Sequence, residues 1–206
     1  MNPSSEPTTN LVFLPGSSGH GSFWDPIREQ LDDYPSEALD WPGLGGHPPS
    51  PAVRSFDDLV DWTIEQITTP SALIGQSMGG FVAMRVAIAR PDLVTHLVLA
   101  VTSAGIDRQR LGLDEWHLRA QPGDAQWVAD PQPALDEYIA GVRVPCLLLW
   151  ADEDPISPLP LGRRLQELIP GAILTIYSSD DHWVVLEHAA DVARQIRELT
   201  TPDRLS

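Results

Sequence analysis

The chain contains no lysine: all 13 of its basic residues are arginine, set against 29 aspartates and glutamates. Without lysine there is no Schiff-base chemistry, no phosphate-gripping P-loop lysine and no kinase strand lysine. The formal net charge of −16 argues against nucleic acid as a partner, because phosphate binding needs a concentrated positive field. It argues equally against an anionic membrane surface. Cysteine is reduced to one residue, Cys146, so an intramolecular disulfide is excluded. Cys146 lies in the apolar run Val144-Pro145-Cys146-Leu147-Leu148-Leu149 and reads as a small buried filler, not a nucleophile. No apolar run reaches membrane-spanning length. Met1 to Asn10 lacks the basic start and apolar stretch of a signal peptide, and a cytoplasmic protein is expected. Metal-ligand spacing of the His-Glu-X-X-His kind is also missing, so neither a metal nor another cofactor is expected.

What remains is the composition of a folding domain. With 206 residues, 42% of them apolar and 20% charged, the chain can build one core that hides roughly 70% of its unfolded surface. Short apolar runs alternate with longer amphipathic stretches, the mark of strand–helix–strand units. Strands are predicted at Leu11 to Leu14, Glu37 to Asp40, Ala72 to Gly75, His96 to Val101, Val144 to Trp150 and Ala172 to Tyr177. Several are apolar at consecutive positions, as expected when helices cover both faces of a parallel sheet. Helices are predicted at Phe23 to Leu31, Ser55 to Ile67, Met78 to Ala89, Leu159 to Ile169 and His188 to Leu199. The fold class is therefore α/β, a mostly parallel sheet of about six strands flanked by helices. One domain is expected over 11–200, between a flexible N-terminus, 1–10, and a tail, 201–206. Two stretches interrupt the rhythm. The proline- and glycine-rich segment 41–54 reads as a surface loop. The segment 103–143 is expected to hold two short helices, near Leu113 to Arg119 and Pro133 to Ala140.

The third strand runs directly into Gly75-Gln76-Ser77-Met78-Gly79-Gly80 and then into an almost wholly apolar helix. Gly-X-Ser-X-Gly between a strand and a helix is the context of a nucleophile elbow. The chain reverses so sharply that Ser77 takes a strained conformation, and side chains at 75 and 79 would collide. A serine hydroxyl needs a general base, and the base needs a group that fixes its tautomer. Both follow in order, each after a strand. An acid-rich loop, Asp152-Glu153-Asp154-Pro155, follows the fifth strand, and Asp180-Asp181-His182-Trp183 follows the sixth. Ligand and catalytic groups gather at that carboxyl edge of parallel sheets.

These residues resemble the α/β-hydrolase superfamily over nearly the whole chain, from Leu11 to about Leu199. The resemblance implies a catalytic set of Ser77, Asp154 and His182, with Asp154 preferred over Asp152 because it directly precedes Pro155. Leu14-Pro15-Gly16-Ser17 resembles the family's first-strand segment, which implies oxyanion-hole N–H groups at Ser17 and Met78. Asp40-Trp41-Pro42-Gly43-Leu44-Gly45 resembles the family's Asp-X-Pro-Gly-X-Gly turn. Two positions depart from the pattern: Pro15 stands for the common histidine, and Asp181 precedes His182 where glycine is frequent. Asp181 either raises the pKa of the histidine or hydrogen-bonds the loop, and the second reading is favoured. Trp24 and Trp183 flank the motif loops and are candidates for an apolar substrate wall. The superfamily inserts its cap between the fourth and fifth strands, so 103–143 implies a reduced cap and an open site.

The implied activity is hydrolysis of small or modest carboxylic esters through an acyl-enzyme, with a small-molecule ester as substrate and neither nucleic acid nor membrane as a partner. Two alternatives stand beside it. A lyase or C–C bond hydrolase on the same triad is one, since Leu11 to Ile67 resembles the menaquinone-pathway synthase. That relative's polyanionic substrate wants a basic reader after the paired glycines, where this chain has Phe81. A non-catalytic ligand-binding protein of the same fold is the other. Nothing in the sequence speaks to oligomeric state.

Overall fold

Consecutive apolar residues make strands that can be covered on both sides, and here they make one parallel sheet. A computed structural model describes residues 9–114 and 122–201. The strands are β1 (Asn10–Leu14), β2 (Ser36–Ala38), β3 (Ser71–Gln76), β4 (Val94–Ala100), β5 (Cys146–Ala151) and β6 (Ile173–Tyr177). They lie in the order β2-β1-β3-β4-β5-β6. The pairs Leu14↔Gly75, Gly75↔Leu99, Ala100↔Leu149 and Ala151↔Tyr177 bring the carboxyl ends to one edge. Sheet growth reverses at β1, with β2 on one side and β3 on the other, so a crevice opens beyond the ends of β1 and β3. β3 and β5 are buried throughout. β6, at the edge of the sheet, keeps Ile173 and Ile176 exposed.

The helices are α1 (Asp25–Arg28), α2 (Phe56–Gln66), α3 (Met78–Ala89), α4 (Asp136–Ile139), α5 (Leu159–Leu168), α6 (Val184–Glu187) and α7 (Ala189–Thr200). α2, α3, α4 and α5 form a contiguous layer, while α1 packs with α7 in a second. α2 begins where Ser55 caps it, its hydroxyl accepting the Asp58 N–H, which satisfies one of the free donors of the first turn. α7 is amphipathic and buries Val192, Ala193 and Ile196. Cys146 is fully buried, and burial pushes its thiol up to about 12. It is inert filler. None of the described helices is long and apolar enough to cross a membrane.

Three predicted segments change. The helix expected at Phe23 to Leu31 is split into a 3-10 turn at Gly21–Trp24, α1, and a second 3-10 turn at Glu29–Leu31. Pro26 near the start of α1 has no N–H to continue an α-helical ladder backwards. The second strand ends at Ala38, short of Asp40, because Asp40 turns away to accept the Gly21 N–H at 2.8 Å. The helix expected at Pro133 to Ala140 is cut to α4. Residues before it bond across the loop instead, Leu135 N–H to Gly105 O at 2.7 Å. Most of the helix expected at Leu113 to Arg119 lies outside the described residues.

The close approach of α3 to β1 rests on Gly79. A Cβ at that position would stand 2.2 Å from Leu14 O and 2.5 Å from Pro15 O, and backbone cannot yield as a flexible side chain does. Gly79→Ala is expected to cost about 3 kcal/mol. Urea unfolding should show a midpoint lowered by roughly 1 M or more at unchanged slope. A midpoint equal to wild type would show that the α3–β1 contact is looser than described.

Candidate active site

Ser77 sits between β3 and α3 with φ 51° and ψ −116°, a region that costs a residue with a side chain roughly 1–3 kcal/mol. Its backbone is held on both sides. The Ser77 N–H donates to Ala100 O at 2.9 Å, and its carbonyl accepts the Gly80 N–H at 3.1 Å. The Thr102 hydroxyl also donates to that carbonyl, at 2.7 Å. A Cβ on Gly75 would meet Gly79 O at 2.4 Å, and one on Gly80 would meet the Thr102 methyl at 2.6 Å. The glycines of the motif are thus required by contact. Met78 opens α3, so its N–H is among the first-turn donors without an intrahelical acceptor.

The loop after β5 presents Asp154, which is 2% exposed. Its Oδ1 accepts the N–H groups of Ile156 at 2.7 Å and Ser157 at 3.0 Å. Its Oδ2 lies 2.6 Å from Nδ1 of His182, 28 residues further along the chain. Burial by itself would raise the Asp154 pKa. The His182 hydrogen bond and charge, with the two backbone donors, outweigh it and hold the carboxyl below its ordinary value. Occupying Nδ1 leaves Nε2 of His182 as the ring's other working atom. The His182 side chain is 12% exposed, and its carbonyl accepts a hydrogen bond from the Gln76 side chain at 3.3 Å. Asp152, the competing acid, accepts the Ser179 N–H at 3.0 Å. Asp181 accepts the Trp183 N–H at 2.8 Å, which matches the favoured loop-bonding reading.

The loop after β1 forms a turn closed by Gly19 N–H to Gly16 O at 3.2 Å, with Ser17 exposed inside it. Gly16 lies against the elbow: a Cβ there would be 3.5 Å from the Ser77 Cβ and 2.3 Å from Gln76 Oε1. Trp24 and Trp41 pin this loop from below, donating to Leu14 O at 3.1 Å and Pro15 O at 2.9 Å. Trp24 is fully buried and is therefore a strut, not part of a substrate wall. Trp183 is 59% exposed and stands outside the cavity lining.

A cavity of about 500 Å³ reaches Ser77 and Met78, a volume that suits a small organic ligand. Phe56 and Phe81, packed edge to face at 5.3 Å, form part of its apolar side with Ile106 and Val128. Most of the lining comes from the segment 103–143, and this includes Arg108. The Arg108 guanidinium donates to Asp114 O at 2.8 Å and Ile156 O at 3.1 Å, so it joins that segment to the acid loop. Gln76, Thr102 and Arg108 escaped the sequence reading. Gln76 carried a weak signal, as a polar residue ending an otherwise apolar strand. For Thr102 and Arg108 there was none, because their roles depend on contacts far along the chain.

Relatives share this architecture. The model of the alpha/beta hydrolase family matches residues 11–195. A pimeloyl-(acyl-carrier protein) methyl ester esterase of Chromobacterium violaceum is 28% identical over 239 residues, covering 92% of this chain and 93% of that protein. Lipase LipV of Mycobacterium tuberculosis is 32% identical over 157 residues, covering 70% of this chain and 52% of its own. Among solved structures, a thermophilic esterase from Thermogutta terrifontis superposes with a TM-score of 0.76 at 21% identity, covering 94% of this chain and 91% of that one. With the family match running from the first strand into the last helix, the chain belongs to the alpha/beta hydrolase family.

Proposed function

We propose that the protein is a serine hydrolase that cleaves small or modest carboxylic esters through an acyl-enzyme, with Ser77, His182 and Asp154 as its triad. The observation that carries the reading is the 2.6 Å contact between His182 and Asp154, formed between two loops of the sheet edge that also bears the strained Ser77. Relatives named as an esterase and a lipase support the same chemistry.

In the first half-reaction Ser77 Oγ forms a bond to the ester carbonyl carbon while Nε2 of His182 takes the hydroxyl proton. Asp154 holds the ring through Nδ1 and stabilises the imidazolium. The N–H groups of Ser17 and Met78 receive the oxyanion, and loss of one such donor typically costs about 3 kcal/mol of barrier. The C–O bond to the leaving alcohol breaks as His182 returns its proton to that oxygen. Water then repeats the sequence on the acyl-enzyme, releasing the acid and restoring Ser77. The wall of Phe56 and Phe81 suits an apolar acyl group. A reduced cap over residues 103–143 and a cytoplasmic site of action belong to the same proposal.

Arg108 favours one second reading. A cation in the cavity lining is what an anionic substrate of a lyase or C–C hydrolase would want, although Phe81 stands where a basic reader is expected. Assays of ester hydrolysis and of the synthase elimination, run side by side on the same preparation, separate the two.

A serine-directed fluorophosphonate should label the wild-type protein at Ser77 and leave Ser77→Ala unlabelled. Hydrolysis of an ester series of graded acyl length should fall by about 10⁴-fold or more in that variant. Labelling that persists in Ser77→Ala would overturn the assignment, and absence of both labelling and turnover in wild type would favour a ligand-binding role.

Asp154 also makes stability depend on pH. Its carboxyl is depressed in the folded state, so its contribution is complete above the ordinary carboxylate value and is lost as pH falls through the lowered one. Wild type should exceed Asp154→Asn by roughly 2 kcal/mol near pH 5, with the gap narrowing by about pH 3. Urea midpoints of both proteins at the two pH values check this, and a gap that does not narrow would place the ionised partner elsewhere.

A further inference from the structure

We propose that His20, Asp40 and His47 form a binding site for a divalent transition-metal ion, with zinc the best match, which clamps the loop after β1 to the loop after β2. One nitrogen from each imidazole and a carboxylate oxygen lie within 4.8 Å of one another. Nε2 of His47 is 2.9 Å from Nδ1 of His20 and 3.5 Å from Oδ1 of Asp40. Zinc bonds to nitrogen and oxygen run about 2.0–2.2 Å, so donors on a tetrahedral ion stand about 3.3 Å apart. These two separations bracket that value, and the third pair, His20 and Asp40, lies within 4.8 Å, so the ion would draw its donors together around Nε2 of His47.

The donors are built into place from both loops. The Gly21 N–H holds Oδ1 of Asp40 at 2.8 Å, the kind of outer hydrogen bond that orients a carboxylate ligand. The Trp41 N–H donates to Gly19 O at 2.9 Å and the His47 N–H to Leu44 O at 2.9 Å, fixing the backbone beside each imidazole. Gly45, at φ +57°, leaves the space that the His20 ring uses, since a Cβ there would come within 2.7 Å of Nε2. A neutral hydrogen bond between the imidazoles accounts for the 2.9 Å contact alone. The Asp40 carboxylate, held by Gly21, adds an oxygen donor 3.5 Å from the same His47 nitrogen.

Donor chemistry selects the ion. Two imidazoles and one carboxylate suit zinc and its transition-metal neighbours, whereas magnesium and calcium prefer oxygen alone. Three protein ligands leave a fourth position for water. The net charge of −16 raises the local concentration of any cation. The sequence hides the site because its ligands come from two loops with no local motif, and only the pairing of β1 beside β2 brings them together.

The test uses the full chain after treatment with a chelator. Calorimetric titration with zinc chloride should show one saturable site and a raised melting temperature. In His47→Ala and in His20→Ala the dissociation constant should rise by at least about 10-fold, and the thermal shift should vanish. Circular dichroism of the metal-free variants must match wild type, and the visible absorption of a four-coordinate cobalt complex, present in wild type and lost in either variant, gives a readout independent of stability. Zinc affinity unchanged in both variants, the absence of a saturable site in wild type, or magnesium binding as tightly as zinc would each overturn the proposal.

Discussion

The positive φ of Ser77 is the constraint on which the rest of this sheet edge depends. A residue with a side chain stays in that region only where its surroundings leave no alternative. Here they do so from three directions. α3 is buried over nearly all of its first three turns, so it cannot tilt to relax the turn. Gly75 and Gly79 bring it against β3 and β1 at backbone contact. Thr102, just after β4, donates to the Ser77 carbonyl while accepting the Ala104 N–H. The strain is therefore offset by packing elsewhere, and Ser77 is fixed in place at the cavity lining.

The loops around Ser77 are fastened by another means, since loops have no ladder of their own. Three fully buried tryptophans each spend their single indole donor on a carbonyl at the start of or within a loop: Trp24 on Leu14, which ends β1, Trp41 on Pro15 and Trp150 on Ser157. A buried indole contributes a large apolar surface, and its N–H must find an acceptor once water is gone. Each therefore anchors a loop backbone to the core. This explains why Trp24, which lies next to a motif loop in sequence, belongs to the scaffold. Proximity along the chain carried the information that it mattered to the loop, but not which way its ring faced.

The same distinction governs what could be read in advance. All six predicted strands lie within two residues of the observed ones, most clearly β3 and β5, whose burial on both faces is written in consecutive apolar residues. The elbow, the acid loop and the histidine loop were legible because each pairs a residue type with a strand end. What was not legible needed registry between distant segments. Gln76 supports the His182 carbonyl only because β3 and the loop after β6 end at the same edge, and His20 meets His47 only because β1 lies beside β2. Local chemistry also intervened where Pro26, near the start of α1, separates it from the 3-10 turn before it in a stretch that periodicity alone reads as one helix.

Charge offers the sharpest case of a global quantity giving way to a local one. A net charge of −16 suggests a site that repels anions, yet exposed charges are screened within about 8 Å at physiological salt, whereas partly buried ones are screened much less. Inside the cavity the balance differs from that of the surface. Asp107 is paired with Arg110, and Asp154 is committed to His182 and two backbone donors. Arg108, half-buried, gives its hydrogen bonds to the carbonyls of Asp114 and Ile156, which orient the guanidinium without neutralising it. Burial lowers its pKa, partly countered by Asp114 and Asp154, but an arginine remains charged after such a shift. Among the described residues, the cavity next to Ser77 thus sets the oriented Arg108 guanidinium and the carboxylates of Asp107 and Asp130 beside an apolar wall, and the acidity of the chain as a whole acts on the approach to the crevice more than on the cavity itself.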